Sequence, residues 1–261
     1  MAAIGFAGNH GIDRGHRPLL QAELHRREKL MYTSLTRLLL CTALLTAGAA
    51  HTAPAAKRAP APQQLVSEAE SLALEGDFDA ALPLYEKAIA ALAPQPKAQQ
   101  ALRYRYGIVL NALGARARPE LYPLARAQFE SVLAYLDSGA QLQHSAARVR
   151  SALAHTYHQQ SASEEDPVQK AHFLRTAYLL YSGAARDLAR QREWHNLAIT
   201  YFNLGQVCEW QGNLEEAIDW LEKAVELDSR HGFADLEEDR AYLLALRQLV
   251  NPSASASATS L

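Results

Sequence analysis

Tyr201-Phe202-Asn203-Leu204-Gly205, then Gln211-Gly212-Asn213-Leu214-Glu215-Glu216-Ala217, then Leu221, Ala224 and Val225 make up the stretch that decides the fold. It reads as a helix, a tight turn and a second helix. Gly205 has no Cβ, so a second helix can approach it closely. Gly212-Asn213 is a turn signal, because both residue types accept the left-handed conformation that ends a helix. Beyond the turn, Ala217, Leu221 and Ala224 are spaced by four and three and fall on one helical stripe. The alanines leave room for the first helix, and Leu221 fills the seam between the two.

With Ala198 as its first position, this spacing resembles the tetratricopeptide repeat. Tyr201 stands where that family often has Trp, and Leu204-Gly205 match its Leu-Gly pair. Cys208 takes the place of a frequent Tyr, and Ser229 that of a closing Pro; neither departure breaks the hairpin. The resemblance implies a helical hairpin of about 34 residues that stacks into a solenoid. It also implies a surface that holds another protein, seldom a reaction centre.

One such hairpin cannot bury its own apolar face, so neighbours are expected. Upstream, Glu75-Gly76-Asp77-Phe78-Asp79-Ala80-Ala81 leads to Tyr85, Ala88 and Ile89, and Pro94 supplies a stop. Its first helix, from about Gln64 to Leu74, puts Leu65, Ala69 and Leu72 on one face. Pro83 sits early in the second helix, where it costs one hydrogen bond. Two looser units follow. Arg103-Tyr104-Arg105-Tyr106-Gly107 leads to Leu110 and Gly114; after an insertion, Ala115 to Leu121, the pattern resumes with Ala125, Phe129, Val132 and Leu133. Leu153-Ala154 and Tyr157 then resemble a first helix, and Ala177, Tyr181 and Ala184 its partner, across a long loop from His158 to Asp166.

Phe233 to Leu249 reads as a final helix, apolar at Leu236, Leu243, Leu246 and Leu249 and charged at Glu237, Glu238, Asp239 and Arg240, which suits the solvating cap of a solenoid. No run alternates apolar and polar residues long enough for a strand. The expected fold class is all-α: an α-solenoid of antiparallel helical hairpins with a C-terminal capping helix, occupying 63–250. Residues 251–261, largely Ser and Ala, read as a disordered tail.

The front of the chain reads as an export signal. Arg37 precedes an apolar run from Leu38 to Ala50, interrupted by Thr42 and Thr46, and Ala47-Gly48-Ala49 offers a small-x-small cleavage site. The run is short for a membrane span. This assigns 31–49 to a signal peptide starting at Met31, 1–30 to a non-native extension, and 50–62 to an Ala/Pro-rich linker. The alternative is a genuine start at Met1, with the run as a buried or anchoring helix. Cys41 lacks the small residues that a lipidation signal wants before it, and the apolar core continues past it.

The full chain has 26 Lys and Arg against 28 Asp and Glu. The segment before Ala50 holds six basic and three acidic residues, which leaves 20 basic and 25 acidic residues, a net −5. That balance argues against nucleic acid as the main partner. Cys208 is the lone cysteine once Cys41 leaves with the leader, so no internal disulfide is expected, and it reads as a small apolar group in the hairpin seam. No phosphate loop, Gly-x-Ser-x-Gly or His-Glu-x-x-His motif occurs. The chain reads as a non-enzymatic protein without a cofactor.

In the family it resembles, first helices line a concave face that holds partner segments. Carried onto this chain, the matching positions are Tyr104, Arg105, Ile108 and Asn111 in the second unit, and Arg148, His155 and His158 in the third. In the fourth they are Phe202, Asn203, Gln206, Glu209 and Trp210. By the same resemblance, an Asn at the place of Asn203 bonds a ligand's main chain. Arg, Asn and aromatic groups together can hold an extended peptide; the same residues can equally contact adjacent repeats or water. Arg103, Arg105, Arg116, Arg118 and Arg126 form a basic cluster in sequence, either a carboxylate grip or a solvated face. The Lys residues of the family's carboxylate-holding variant are missing. His155 and His158, with Glu164, Glu165, Asp166 and His172 downstream, are the nearest thing to a metal set, but no third ligand is fixed and no metal is expected. Trp194, Trp210 and Trp220 read as seam or groove aromatics. The expected role is an exported scaffold for a protein or peptide partner in the cell envelope. Its rivals are an assembly subunit using outer positions such as Glu215 and Glu222, and a metal-dependent enzyme around His155.

Overall fold

The computed structural model describes residues 61–116 and 118–251. The signal-peptide and extension assignments lie outside the described residues, as do the linker up to residue 60 and the tail beyond Asn251; Pro62, read as the end of the linker, already opens the first helix. Among the described residues there are nine α-helices and no strand: α1 Pro62–Glu75, α2 Phe78–Ala91, α3 Pro96–Arg116, α4 Tyr122–Asp137, α5 Ala146–Ser163, α6 Pro167–Gln191, α7 Trp194–Trp210, α8 Leu214–His231 and α9 Leu236–Val250. A 3-10 turn, Pro119–Leu121, precedes α4. No helix among the described residues is long and apolar enough to cross a membrane.

The helices pair as four hairpins, α1–α2, α3–α4, α5–α6 and α7–α8, with α9 packed on α8. Local chemistry sets several boundaries. Asp77 caps α2 by accepting from Ala80 N, and Ser145 caps α5 by accepting from Arg148 N. Gly212, at φ 83°, supplies the left-handed residue after α7, while Asn213, at φ −87°, does not share that conformation. Asn213 N instead reaches back to Cys208 O at 2.9 Å, closing the last turn. Pro83 lies inside α2 on its exposed side, where the missing donor is least costly.

Each hairpin closes on small residues. At Gly205 a Cβ would stand 2.7 Å from Leu221 Cγ and 3.1 Å from the Ala217 carbonyl oxygen, so the two helices meet closer than any side chain allows. Ala217, Leu221 and Ala224 are fully buried opposite it. Between hairpins the core continues: Tyr85 of α2 stacks on Tyr106 of α3 at 5.0 Å, and Tyr242 of α9 meets Phe202 of α7 at 5.2 Å. Burying a large apolar side chain of this kind contributes on the order of 2 kcal/mol. Cys208 is wholly enclosed, and burial, then the neighbouring Glu216, push its thiol up to about 12.

Two connections differ from the sequence reading. The expected loop from His158 to Asp166 is mostly helix: α5 runs on to Ser163, and only Glu164, Glu165 and Asp166 connect it to α6. The polar residues there do not break the helix because their hydroxyls bond its own carbonyls, Ser161 Oγ to His158 O at 2.6 Å and Ser163 Oγ to Gln160 O at 3.1 Å. Asp166 caps α6, with Pro167 at its first turn. The expected insertion, Ala115 to Leu121, likewise begins inside α3, which continues to Arg116.

Candidate functional site

Besides pairing with their own partners, α3 touches α5 and α5 touches α7. The first helices of successive hairpins therefore form a row along one side, with the second helices on the other. Helical spacing selects the residues that look out from that row. On α5 the stripe is Arg148, Ala152, His155 and Gln159; on α7 it holds Ile199 and Asn203; on α3 it holds Arg105, Ile108 and Ala112.

The candidate residues divide into two groups. Arg105, Ile108, Arg148, His155, Asn203, Glu209 and Trp210 keep part of their surface open. Arg105 Nε lies 2.6 Å from Glu70 Oε1 of α1, so its charge is already shared across the first two hairpins. Glu209 accepts from Tyr242 Oη of α9. Tyr104, Asn111, His158, Phe202 and Gln206 are covered by neighbouring helices instead. Tyr104 lies against His144 at 4.2 Å and Phe129 at 5.9 Å. Asn111 Nδ2 makes a long contact, 3.5 Å, to Ala152 O. His158 is fully buried against the Trp210 ring at 4.5 Å, and neither of its ring nitrogens has a hydrogen-bond partner.

Burial dominates the electrostatics. It lowers His158 to about 3, with nearby His155 adding to the effect, and lowers His155 to about 4. His144 is held at about 4 by burial, then by the guanidiniums of Arg148 and Arg105. Glu70 is raised by burial against the opposing pull of Arg105. These imidazoles are neutral near pH 7, and Arg105 and Arg148 supply the positive charge of the row.

The basic cluster read from the sequence is dispersed. Arg103 donates to Gln128 Oε1, Arg105 pairs with Glu70, and Arg116 lies over the Phe78 ring. Arg118 pairs with Asp79 and Glu120, and Arg126 lies over Tyr157. Among the described residues, no group of three or more His, Cys, Asp or Glu gathers where it could hold a metal. His155 and His158 sit 6.3 Å apart ring to ring, with His155 Nδ1 3.3 Å from the Tyr181 hydroxyl. Of the loop carboxylates, Asp166 is spent on its helix cap.

Ile199 escaped the sequence reading. It is 41% exposed and lies one turn before Asn203, an apolar contact point beside a polar one. The signal was present in the four-residue step back from Asn203.

Comparison with known proteins agrees with the geometry at one place. Residues 198–231 match the family model of the tetratricopeptide repeat, a segment that falls on α7 and α8. None of the curated proteins matches the chain. The match covers that one hairpin and shows a tetratricopeptide repeat there.

Proposed function

We propose that the mature chain is an exported scaffold that holds an extended segment of a protein or peptide partner along the row formed by α3, α5 and α7. One observation carries this reading: adjacent first helices turn partly open Arg105, Arg148 and Asn203 toward one side, with Ile199 exposed among them. Guanidinium and amide groups suit the main-chain carbonyls of an extended peptide, and Ile199 suits an apolar side chain. Rigid helices hold these groups in place before the partner arrives, so little ordering cost falls on the scaffold. The role makes and breaks no bond. The acidic balance of the mature chain favours a protein partner over nucleic acid.

Export to the cell envelope rests on the charged start, short apolar core and small-residue exit of 31–49. N-terminal sequencing of protein from the periplasmic fraction tests it: a mature start soon after Ala49 supports export, and an intact leader on a cytoplasmic product removes it.

The groove is tested by capture from envelope extracts with identification by mass spectrometry. Ile199→Asp combined with Asn203→Ala is expected to weaken capture of the same partner roughly tenfold, the loss of about 1.4 kcal/mol, with unchanged helicity by circular dichroism. Lys87→Glu, on an exposed position of α2, serves as the control and leaves capture intact. Equal capture by both variants would assign binding to another face.

A further inference from the structure

The outer side of the solenoid carries charges that the concave reading leaves unused. Val168, His172, Arg175, Leu179, Arg186 and Arg190 recur along α6 at steps of three, four and seven, so they share one stripe, and all are exposed. Two of them are large and apolar, Val168 at 75% exposure and Leu179 at 62%. No carboxylate interrupts that stripe, and α6 as a whole has four Lys and Arg against one Asp. Its neighbour α8 is the reverse, with six Asp and Glu against two basic residues, and Glu215, Asp219 and Glu226 lie on one outward stripe.

Some of these charges are matched within the molecule: Arg190 pairs with Asp187, and Glu226 with Arg230. Among the described residues, Arg175 and Arg186 on α6 and Glu215 and Asp219 on α8 have no ion-pair partner. Both helices pack on α7, and one side-chain hydrogen bond ties them together. Tyr178 Oη donates to Glu216 Oε1 at 2.6 Å, which puts residue 178 level with residue 216. One turn back, Arg175 comes level with Asn213 at the N-cap of α8, two residues before Glu215. An open groove of about 330 Å³ runs between the helices, lined by Arg175, Tyr178, Leu179, Gln211, Asn213 and Glu216.

We propose that this outer face is a self-association surface, on which two copies of the chain pack with α6 of each lying on α8 of the other. The charges select that arrangement. A twofold axis running between α6 and α8, parallel to both, exchanges them, so each basic stripe meets an acidic one. An axis across the helices would set α6 on α6 and oppose Arg175, Arg186 and Arg190 to their own copies. In the first arrangement every contact occurs twice, and Arg175 faces Glu215 in both directions. Leu179 and the groove supply the apolar part of the contact.

The size of the face sets the strength. With 18 residues, α8 is about 27 Å long, and two helix widths of about 10 Å give a footprint of roughly 500 Å² per copy. That is below the roughly 800 Å² per partner of a stable complex. The dimer is therefore weak, and because its charges are exposed it loosens as salt rises.

Sedimentation velocity on the full chain, from micromolar to hundreds of micromolar at low and high salt, tests the proposal. Reversible dimerisation that weakens with salt is expected. Arg175→Glu alone and Glu215→Lys alone should each raise the dissociation constant roughly tenfold or more. The two reversals in one chain should restore it, and so should an equimolar mixture of the two single variants, since each then offers the other an opposite charge. A protein that stays monomeric throughout, or a dimer indifferent to both reversals, overturns the proposal. Neither outcome bears on the row of first helices, whose test uses Ile199 and Asn203.

Discussion

The third and fourth hairpins share a plan but close in different ways. In the fourth, α7 and α8 meet at a residue with no side chain: a Cβ on Gly205 would collide with Leu221 and with the backbone of Ala217. In the third, α5 and α6 close on Ala154, Ala177 and Ala184, all fully buried, while Gly183 lies away from the seam, with only Arg150 Cδ 3.9 Å from a built Cβ. The helices differ too, at 18 and 25 residues in the third hairpin against 17 and 18 in the fourth. Both enclose polar groups, His158, Thr156 and Ser161 in the third and Thr200, Gln206 and Asp228 in the fourth. The family match falls on the fourth hairpin, so the repeat signature marks one way of seating two helices. The longer third hairpin reaches the same stacked position by spreading small residues over more turns.

That difference predicts opposite outcomes for the same substitution. Gly205→Ala should destabilise the protein by about 2 kcal/mol, because Leu221 and the α8 backbone must move apart. Chemical denaturation monitored by circular dichroism reads it, and a change within a few tenths of a kcal/mol would mean that the seam is not tight.

Next in size is an acid effect confined to the third hairpin and its approach. His158 at about 3, His155 at about 4 and His144 at about 4 lie below the ~6.5 of an unfolded chain. The folded state keeps these rings neutral, so the stability they support is complete above about pH 6.5 and is lost as pH falls through the folded values. The fully buried His158 is the sharpest probe. Replacing a ring whose nitrogens are both unpartnered with an apolar side chain removes an unsatisfied polar group. His158→Leu is therefore expected to leave stability at pH 7.5 within about 1 kcal/mol of the parent and to flatten its decline between pH 6.5 and 4. An unchanged acid limb in thermal melts across pH would locate the titration elsewhere.

The smallest effect is the counterpart of the first. Gly183→Ala meets only Arg150 Cδ, at an ordinary contact distance of 3.9 Å, in the middle of α6, so it should stabilise the protein by about 0.5 kcal/mol through the lower backbone entropy of the unfolded chain. A loss of stability there, in the same denaturation assay, would show that the third hairpin packs as tightly as the fourth and would dissolve the contrast.

The fold was legible where spacing and small residues agree. Gly205, Ala217, Leu221 and Ala224 announced the fourth hairpin, and Gly76, Tyr85 and Ala88 the first. The stretch from His158 to Ser163 was not, because serine is an ordinary loop former until its hydroxyl finds a carbonyl of its own helix, as Ser161 and Ser163 do. The candidate site was legible to within one step of helical rotation. Arg105 and Tyr104 are neighbours in sequence, yet 100° apart around α3; the first looks out from the row and the second is sealed against His144. The same rotation separates half-buried Asn203 from buried Phe202, which faces Tyr242. How far one helix turns its face toward the next depends on the side chains of both, and periodicity within one helix does not contain that angle.

Cys208 turns the fourth hairpin into its own timekeeper. A thiol held protonated and sealed between α7 and α8 reacts with a disulfide reagent only in the moments when those helices part. Its labelling rate in native buffer therefore counts those moments.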